Sequence, residues 1–235
     1  MNALKKVYDG FIKSLKQVSG TEDTEAAKKT LCEVIDAIVD NLSTEDVSLL
    51  LYCGKVSDED YVYAHSLNVC LISVRIGVRL GYDRARLEAI GVAALMHSGR
   101  DTGFPEKVFE DAGHDKETED IVKLADIYDT LTHPPSHRTE MTPCDTMTSV
   151  IDSCSFAQTQ LVKILLEEIS MYPEGSWVRL NTGETAKVIR INREFPLRPV
   201  VEVMRDAKRT EDLSQNKMIY IIRALTEKEV GKITR

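Results

Sequence analysis

Over the first 170 residues, apolar side chains recur at intervals of three and four, the period of an amphipathic α-helix. Before residue 55 this pattern predicts two helices, over 4–15 and 31–42, and Ser43 or Thr44 can cap a third, short helix. Each of these helices has an apolar face that needs a partner. We therefore expect the N-terminal helices, residues 1–55, to pack on a larger core.

The stretch from 58 to 170 predicts the helical core itself. Residues 89–96 are apolar without interruption, so the helix over 84–97 is expected to be the most buried element. Residues 98–113 contain three glycines and a proline, which predicts a loop with at most a short helix. The predicted core helices cover 58–80, 84–97, 116–132, 143–152 and 156–170.

After Tyr172 and Pro173 the apolar pattern changes from the helical period to alternation, which is typical of strands. The Asn-Thr-Gly sequence at 181–183 predicts a turn, and the segment around it reads as a small β-meander or hairpin unit. The predicted strands cover 187–191, 199–204 and 218–222.

The fold class expected from these patterns is mostly α, a helical body with a small C-terminal β appendage. We divide the chain into the N-terminal helices at 1–55, a helical core at 56–172 and a β-rich C-terminal subdomain at 173–235.

Composition places the chain among globular proteins, because 43% of its 235 residues are hydrophobic and 29% are charged. It has 38 acidic and 30 basic residues, a net charge of -8, which disfavours nucleic acid and anionic membrane surfaces as partners. The apolar run at 89–96 is far shorter than the roughly 20 residues that cross a bilayer. We expect a cytoplasmic protein whose five cysteines are structural.

Three residues on the predicted core helices could carry chemistry. His65 lies on the apolar stripe of its helix, where a buried imidazole must find partners for both ring nitrogens. His97 ends the most apolar helix, and Asp126 is a carboxylate within an otherwise apolar helical segment. An inward-facing Asp126 would need a cation or several hydrogen-bond donors to stay charged. Two histidines and one carboxylate match a non-haem iron site or a similar divalent site.

The segments around these residues, and several after them, resemble the HD-GYP proteins, the bacterial branch of the HD phosphohydrolase superfamily. The resemblance implies an HD-domain-like helical bundle, two or three divalent metals, usually iron or manganese, and hydrolysis of cyclic di-GMP. It places His65 at the first ligand, His97 at the histidine of the His-Asp doublet and Asp126 at the late aspartate ligand. The similar segments are 60–69, 95–98, 103–106, 125–132 with Arg138, 172–180, 182–184 and 196–201.

The chain departs from the HD-GYP pattern at positions that carry its chemistry. Ser98 stands where the family has the doublet aspartate, and a hydroxyl cannot bridge and neutralise two cations as a carboxylate does. Asp101 stands where the family has a lysine. Between His97 and Asp126 there is no His-His-Glu and no Gly-Tyr-Pro, so residues 56–172 read as a truncated HD-GYP-like core. Three residues are kept as candidates for ligand binding: Ser98, Asp101 and Arg138.

The remaining histidines and Ser98 are poor candidates to replace the missing metal ligands or to form another catalytic site. His114 lies in a charged run, and His137 follows two prolines in a predicted loop. His133 is seven residues after Asp126, about 10 Å along the helix axis, which is too far for one coordination sphere. A Ser98, His97 and Asp126 nucleophilic triad is disfavoured because no nucleophile-elbow sequence surrounds the serine.

These observations favour a degenerate HD-GYP-like protein without catalysis, a regulatory or protein-interaction module in bacterial signalling. The alternative is a metal-dependent phosphohydrolase, similar to a cyclic di-GMP phosphodiesterase, with a reduced His65, His97 and Asp126 single-metal site. A third hypothesis treats those residues as a metal-free hydrogen-bonded network. No cofactor is expected under the first hypothesis, and one divalent cation, iron or manganese, under the second. The expected partner is another protein or a second copy of the chain, with a nucleotide as a further ligand.

Overall fold

Side-chain caps mark where several of the helices begin. Asp23, Asp83 and Asp115 each precede a helix and accept a hydrogen bond from the backbone N–H three residues later. Thr142 caps the helix that begins at Pro143 in the same way. The helices are α1 (Asn2–Val18), α2 (Thr24–Leu42), α3 (Tyr61–Arg79), α4 (Arg84–Met96), α5 (Gly99–Thr102), α6 (Lys116–Thr132), α7 (Pro143–Ser153) and α8 (Thr159–Ile169).

The structure is a computed structural model, and some predicted features lie outside the residues that it describes. The short helix expected after Ser43 is one of these, together with His114, His137 and Arg138. The described residues are 2–43, 59–105, 115–133, 141–154, 159–204, 209–226 and 229–231.

The chain forms two compact units, residues 1–139 and 140–235. The first contains α1 to α6, and the second contains α7, α8 and the strands. The sequence-based boundaries at 55/56 and 172/173 stay predictions.

α3 is the central helix of the first unit, because α1, α2, α4 and α6 all pack against it. Thirteen of its 19 residues are buried, against seven of 13 in α4, so the expectation that α4 is the most buried element is wrong. Among the described helices only α3 is long and apolar enough to cross a membrane, and most of it is buried inside the protein. Such burial is what a core helix shows.

Two glycines bring the helices of the first unit close together. A Cβ on Gly77 of α3 would lie 2.8 Å from the Leu87 side chain of α4, and one on Gly91 of α4 would lie 2.8 Å from Ile35 of α2. Real Cβ atoms do not approach other atoms this closely, so a larger residue at either position would force the neighbouring side chain to shift. The two glycines therefore allow close packing of α3 on α4 and of α4 on α2.

The second unit contains a five-stranded antiparallel sheet in the order β4-β3-β2-β1-β5. Its buried face is built from apolar side chains, among them Val178, Leu180, Val188, Val201 and Val203. The fold class predicted from the sequence, mostly α with a small C-terminal β appendage, is confirmed. The strands are β1 (Trp177–Leu180), β2 (Thr185–Arg190), β3 (Val200–Met204), β4 (Arg209–Asp212) and β5 (Ile221–Leu225).

Candidate metal centre

Three helices of the first unit bring the predicted site residues together. His65 lies in the second turn of α3, His97 follows the last residue of α4, and Asp126 lies within α6. The Nε2 atoms of the two histidines are 3.1 Å apart. Asp126 Oδ1 is 3.2 Å from Nε2 of His65 and 3.8 Å from Nε2 of His97. Three atoms that can each ligate a metal therefore converge on one point.

The spacing of these three atoms suits one divalent cation. Ligand bonds of about 2.0–2.2 Å at angles between 90° and the tetrahedral value put neighbouring ligand atoms about 2.8–3.6 Å apart. Two of the three distances lie in that interval, and the third exceeds it by a few tenths of an ångström. The Asp126 side chain, 41% exposed, has room to close this difference. Two imidazoles with one carboxylate are a donor set that iron, manganese and zinc accept.

The other nitrogen of His65 is held by a buried carboxylate. Nδ1 of His65 donates to Oδ2 of Asp129 over 2.8 Å, and the Asp129 side chain is 1% exposed. A histidine that ligates a metal commonly donates its second N–H in this way, which fixes both its tautomer and its ring orientation. Asp129 therefore leaves Nε2 of His65 as the ligand atom.

Asp129 collects donors from two helices. Its Oδ1 accepts from Nδ2 of Asn68 and from Nδ1 of His133, each over 2.9 Å. The chain of hydrogen bonds continues to α1, where the Tyr8 hydroxyl donates to Oδ1 of Asn68 over 2.7 Å. Tyr8 and Asn68 are both buried. Residues from α1, α3 and α6 thus form one polar network next to the three candidate ligands.

His97 is oriented by its own helix. Its Nδ1 donates to the carbonyl oxygen of Ala94 over 2.6 Å, which directs the lone pair of Nε2 at the point of convergence. The Oγ atom of Ser98 lies 2.9 Å from that Nε2. Ser98, which stands where the resemblance places a carboxylate, therefore presents only a hydroxyl to the site.

The charges of the site are set by these contacts. Burial alone would lower the pKa of His65, but hydrogen bonds to Asp126 and Asp129 raise it to about 9. Burial lowers the pKa of His97, and the neighbouring His65 lowers it further. The hydrogen bond from His65 lowers the pKa of Asp126. Burial would raise the pKa of Asp129, but the bonds from His133 and His65 hold it below its ordinary value.

Without a cation, protons can supply hydrogen-bond partners for the same ligand atoms. A protonated His65 donates from both ring nitrogens, to Asp126 and to Asp129, while a neutral His97 accepts from the Ser98 hydroxyl. A divalent cation would take the place of the proton on Nε2 of His65, since metal ligands must be deprotonated. The same residues can therefore form either a proton-linked hydrogen-bond network or a site for one cation.

The sequence-predicted residues fall into three groups in the structure. His65, His97 and Asp126 converge, with Ser98 beside them. Asp101 lies on α5 with an exposed side chain and is not in this cluster. Arg138, His114 and His137 lie outside the described residues.

The two aspartates of α6 differ in burial. The Asp126 side chain is 41% exposed, and the deeply buried carboxylate is Asp129. His133, too distant to share a coordination sphere with Asp126, instead contacts Asp129 one helical turn before it. The aspartate pair at a spacing of three in the sequence Ala-Asp-Ile-Tyr-Asp was the one available signal for Asp129.

Comparison with protein families bears on the second unit. Residues 177–233 match the family model described as KOW domain associated with HD domain. The match indicates an HD-domain-associated protein. The matched segment contains all five strands of the described sheet. No curated protein and no solved structure matches the chain.

Proposed function

We propose that this protein is an HD-GYP-like regulatory or protein-interaction module of bacterial signalling. Its helical unit keeps three residues placed to hold one divalent cation, a departure from the expectation of no cofactor for a non-catalytic module, and it does not hydrolyse cyclic di-GMP. We place it in the cytoplasm, with another protein or a second copy of the chain as its partner and a nucleotide as a further ligand. The C-terminal match to a domain associated with HD domains supports the HD context.

The observation that carries this proposal is the hydroxyl at position 98. Oγ of Ser98 lies 2.9 Å from Nε2 of His97, the place beside the histidine where a bridging carboxylate would have to stand. A carboxylate can bridge and neutralise two cations through its two charged oxygen atoms, and a neutral serine hydroxyl has neither the charge nor the second oxygen. The donor set formed by His65, His97 and Asp126 is therefore matched to a single cation.

The roles of the residues follow from their contacts. His65 and His97 would supply two nitrogen lone pairs, and Asp126 would supply the negative charge. A bound cation supplies Lewis-acid polarisation of a phosphoryl or carbonyl oxygen. In a regulatory module His65, His97 and Asp126 would link α3, α4 and α6 to one another through the cation that they hold.

The test is turnover of cyclic di-GMP with Mn²⁺ and, under anaerobic conditions, with Fe²⁺. We expect the wild-type protein to show no hydrolysis above that of Asp126→Asn. Asp36→Asn is a matched control, because Asp36 lies on the exposed surface of α2 in the same unit and pairs with Arg84. Hydrolysis by the wild type and by Asp36→Asn that disappears in Asp126→Asn would refute the proposal.

That refuting result would establish the second candidate, a single-cation phosphohydrolase. The convergence of three ligand atoms favours it, together with the Asp129 carboxylate behind His65, since catalytic zinc and iron sites also use three protein ligands and an open position. The two candidates share the pocket and differ only in turnover.

A further inference from the structure

Asp129 is not a ligand in the candidate metal centre, because both its oxygen atoms already accept hydrogen bonds. Oδ2 accepts from His65, and Oδ1 accepts from Asn68 and His133. A carboxylate that is 1% exposed and has three donors is held in one orientation. Asp129 can therefore hold the side chains that donate to it, His65 among them, in fixed positions.

That fixed carboxylate determines how His65 faces the pocket. The bond to Nδ1 leaves the Nε2 lone pair for a cation and restrains rotation of the ring. The same restraint holds Nε2 of His65 at 3.1 Å from Nε2 of His97. Without it, His65 would lose the hydrogen bond that fixes its tautomer and helps to direct its ring at the point of convergence.

Tyr8 controls the far end of the same hydrogen-bond chain. An amide side chain can present either its oxygen or its NH₂ group, and the Tyr8 hydroxyl donates to the Asn68 oxygen. The NH₂ group of Asn68 must then point to Asp129, as the 2.9 Å contact shows. In this way a residue of α1 supports a ligand that lies on α3.

We propose that Asp129 is a positioning residue that sets the affinity of the His65, His97 and Asp126 site for a divalent cation. Tyr8 of α1 contributes to that affinity through Asn68. This inference rests on the single-cation pocket of the proposed function. It makes the packing of α1 on α3 a determinant of cation binding, although α1 contributes no ligand.

The test is the Mn²⁺ affinity of the full chain, measured by isothermal titration calorimetry. Asp129→Asn is expected to weaken binding by about 10- to 100-fold, the usual effect of removing such a supporting group. Tyr8→Phe removes only a hydroxyl and is expected to weaken binding by about two- to fivefold. Tyr172→Phe, which removes a buried tyrosine hydroxyl in the second unit, is the matched control and should bind as the wild type does.

A double variant separates positioning from a general loss of stability. If Tyr8 acts through Asp129, adding Tyr8→Phe to Asp129→Asn should weaken Mn²⁺ binding no further. Ile72→Val, a core substitution on α3 outside the network, should lower stability to urea without changing affinity. If Asp129→Asn does not fold, Tyr8→Phe and Asn68→Ala decide the question.

Several results would overturn the inference. Equal Mn²⁺ affinity in wild type, Tyr8→Phe and Asp129→Asn would do so, and so would additive losses in the double variant. A folded wild type that binds no Mn²⁺ would also refute it. Hydrolysis of cyclic di-GMP would refute the proposed lack of catalysis and leave the positioning role standing, so the two failures are distinguishable.

Discussion

The two units of the chain bury their charged side chains in different settings. In the first unit, residues 1–139 and called the helical unit below, Asp129 is buried and accepts hydrogen bonds from His65, Asn68 and His133. In the second unit, residues 140–235 and called the sheet unit below, the buried carboxylate of Glu184 accepts a hydrogen bond from the Thr182 hydroxyl. It also forms an ion pair with Arg209, whose side chain is 42% exposed. Arg209 is partly exposed and lies 25 positions from Glu184 in the sequence, whereas His65 and Asn68 lie 64 and 61 positions from Asp129.

This difference indicates which buried polar groups belong to a site. Taking a carboxylate out of water costs several kcal/mol, so a core carboxylate persists where its partners are held in place. The partners of Asp129 include His65, a candidate ligand, and those of Glu184 include Thr182 in a turn and Arg209 on β4. Under the proposed function, the buried carboxylate of the first unit supports a candidate ligand, whereas that of the second unit pairs with Thr182 and Arg209.

Replacing the central carboxylate should have the largest effect. Asp129→Ala leaves the N–H donors of His65, Asn68 and His133 without their acceptor, and we expect a loss of about 3–5 kcal/mol in the free energy of unfolding. The matched variant Glu184→Ala should cost about 1–3 kcal/mol, because Arg209 can turn to solvent. Urea unfolding of both variants measures the difference. Equal losses would remove the distinction between the two networks.

A core substitution in the sheet should affect stability but not cation binding. Leu180 is fully buried, and Leu180→Ala should destabilise the second unit by about 3 kcal/mol through the lost apolar contacts and the cavity left behind. Mn²⁺ affinity should be unchanged, because all three candidate ligands lie in the first unit. Calorimetric titration of this variant, next to its urea unfolding curve, makes the comparison. A change in affinity would contradict the assignment of the pocket to the helical unit alone.

The smallest expected effect concerns an exposed charge at the end of the sheet unit. Hydrogen bonds from Arg223 and from Thr226 hold the pKa of Glu229 at about 2, below its ordinary value of 4.5. Since the folded-state pKa is the lower one, the contribution of Glu229 to stability is present above about pH 4.5. It is lost as the pH falls towards 2. A carbon-13 NMR titration should place the carboxyl midpoint near 2, and a midpoint near 4.5 would show that the ion pair with Arg223 does not form in solution.

The sequence predicted the helices well wherever local patterns decide the structure. The helix over 116–132 begins and ends as expected, and the capping residue and proline at 142–143 mark the start of α7. The convergence of His65, His97 and Asp126 was expected from the resemblance to HD-GYP proteins, which already combines residues far apart in the chain.

The sequence did not predict the network behind the ligands. The contacts of Asn68 with Tyr8 and with Asp129 span 60 and 61 positions, and no local pattern records which helices meet. Asp129 was overlooked because Asp126, three residues earlier, already filled the role of the late aspartate.

The sequence pattern also failed to predict β4 and misplaced β5. β4 (Arg209–Asp212) is polar throughout and has no apolar alternation to reveal it. β5 was predicted over 218–222 and lies at Ile221–Leu225. The side chain of Asn181 binds the backbone of Met218 and Tyr220, and its own backbone N–H donates to the carbonyl oxygen of Tyr220. Side-chain and backbone hydrogen bonds therefore hold that stretch together.

The most direct test of a one-cation pocket without hydrolysis is the stoichiometry of bound metal, with turnover measured on the same sample. Protein saturated with Mn²⁺ and then dialysed should retain one Mn²⁺ per chain by elemental analysis. Neither His65→Ala nor Asp126→Ala should retain the cation, and the wild-type sample should leave cyclic di-GMP intact. Two or more cations per chain, accompanied by hydrolysis of cyclic di-GMP, would contradict the account.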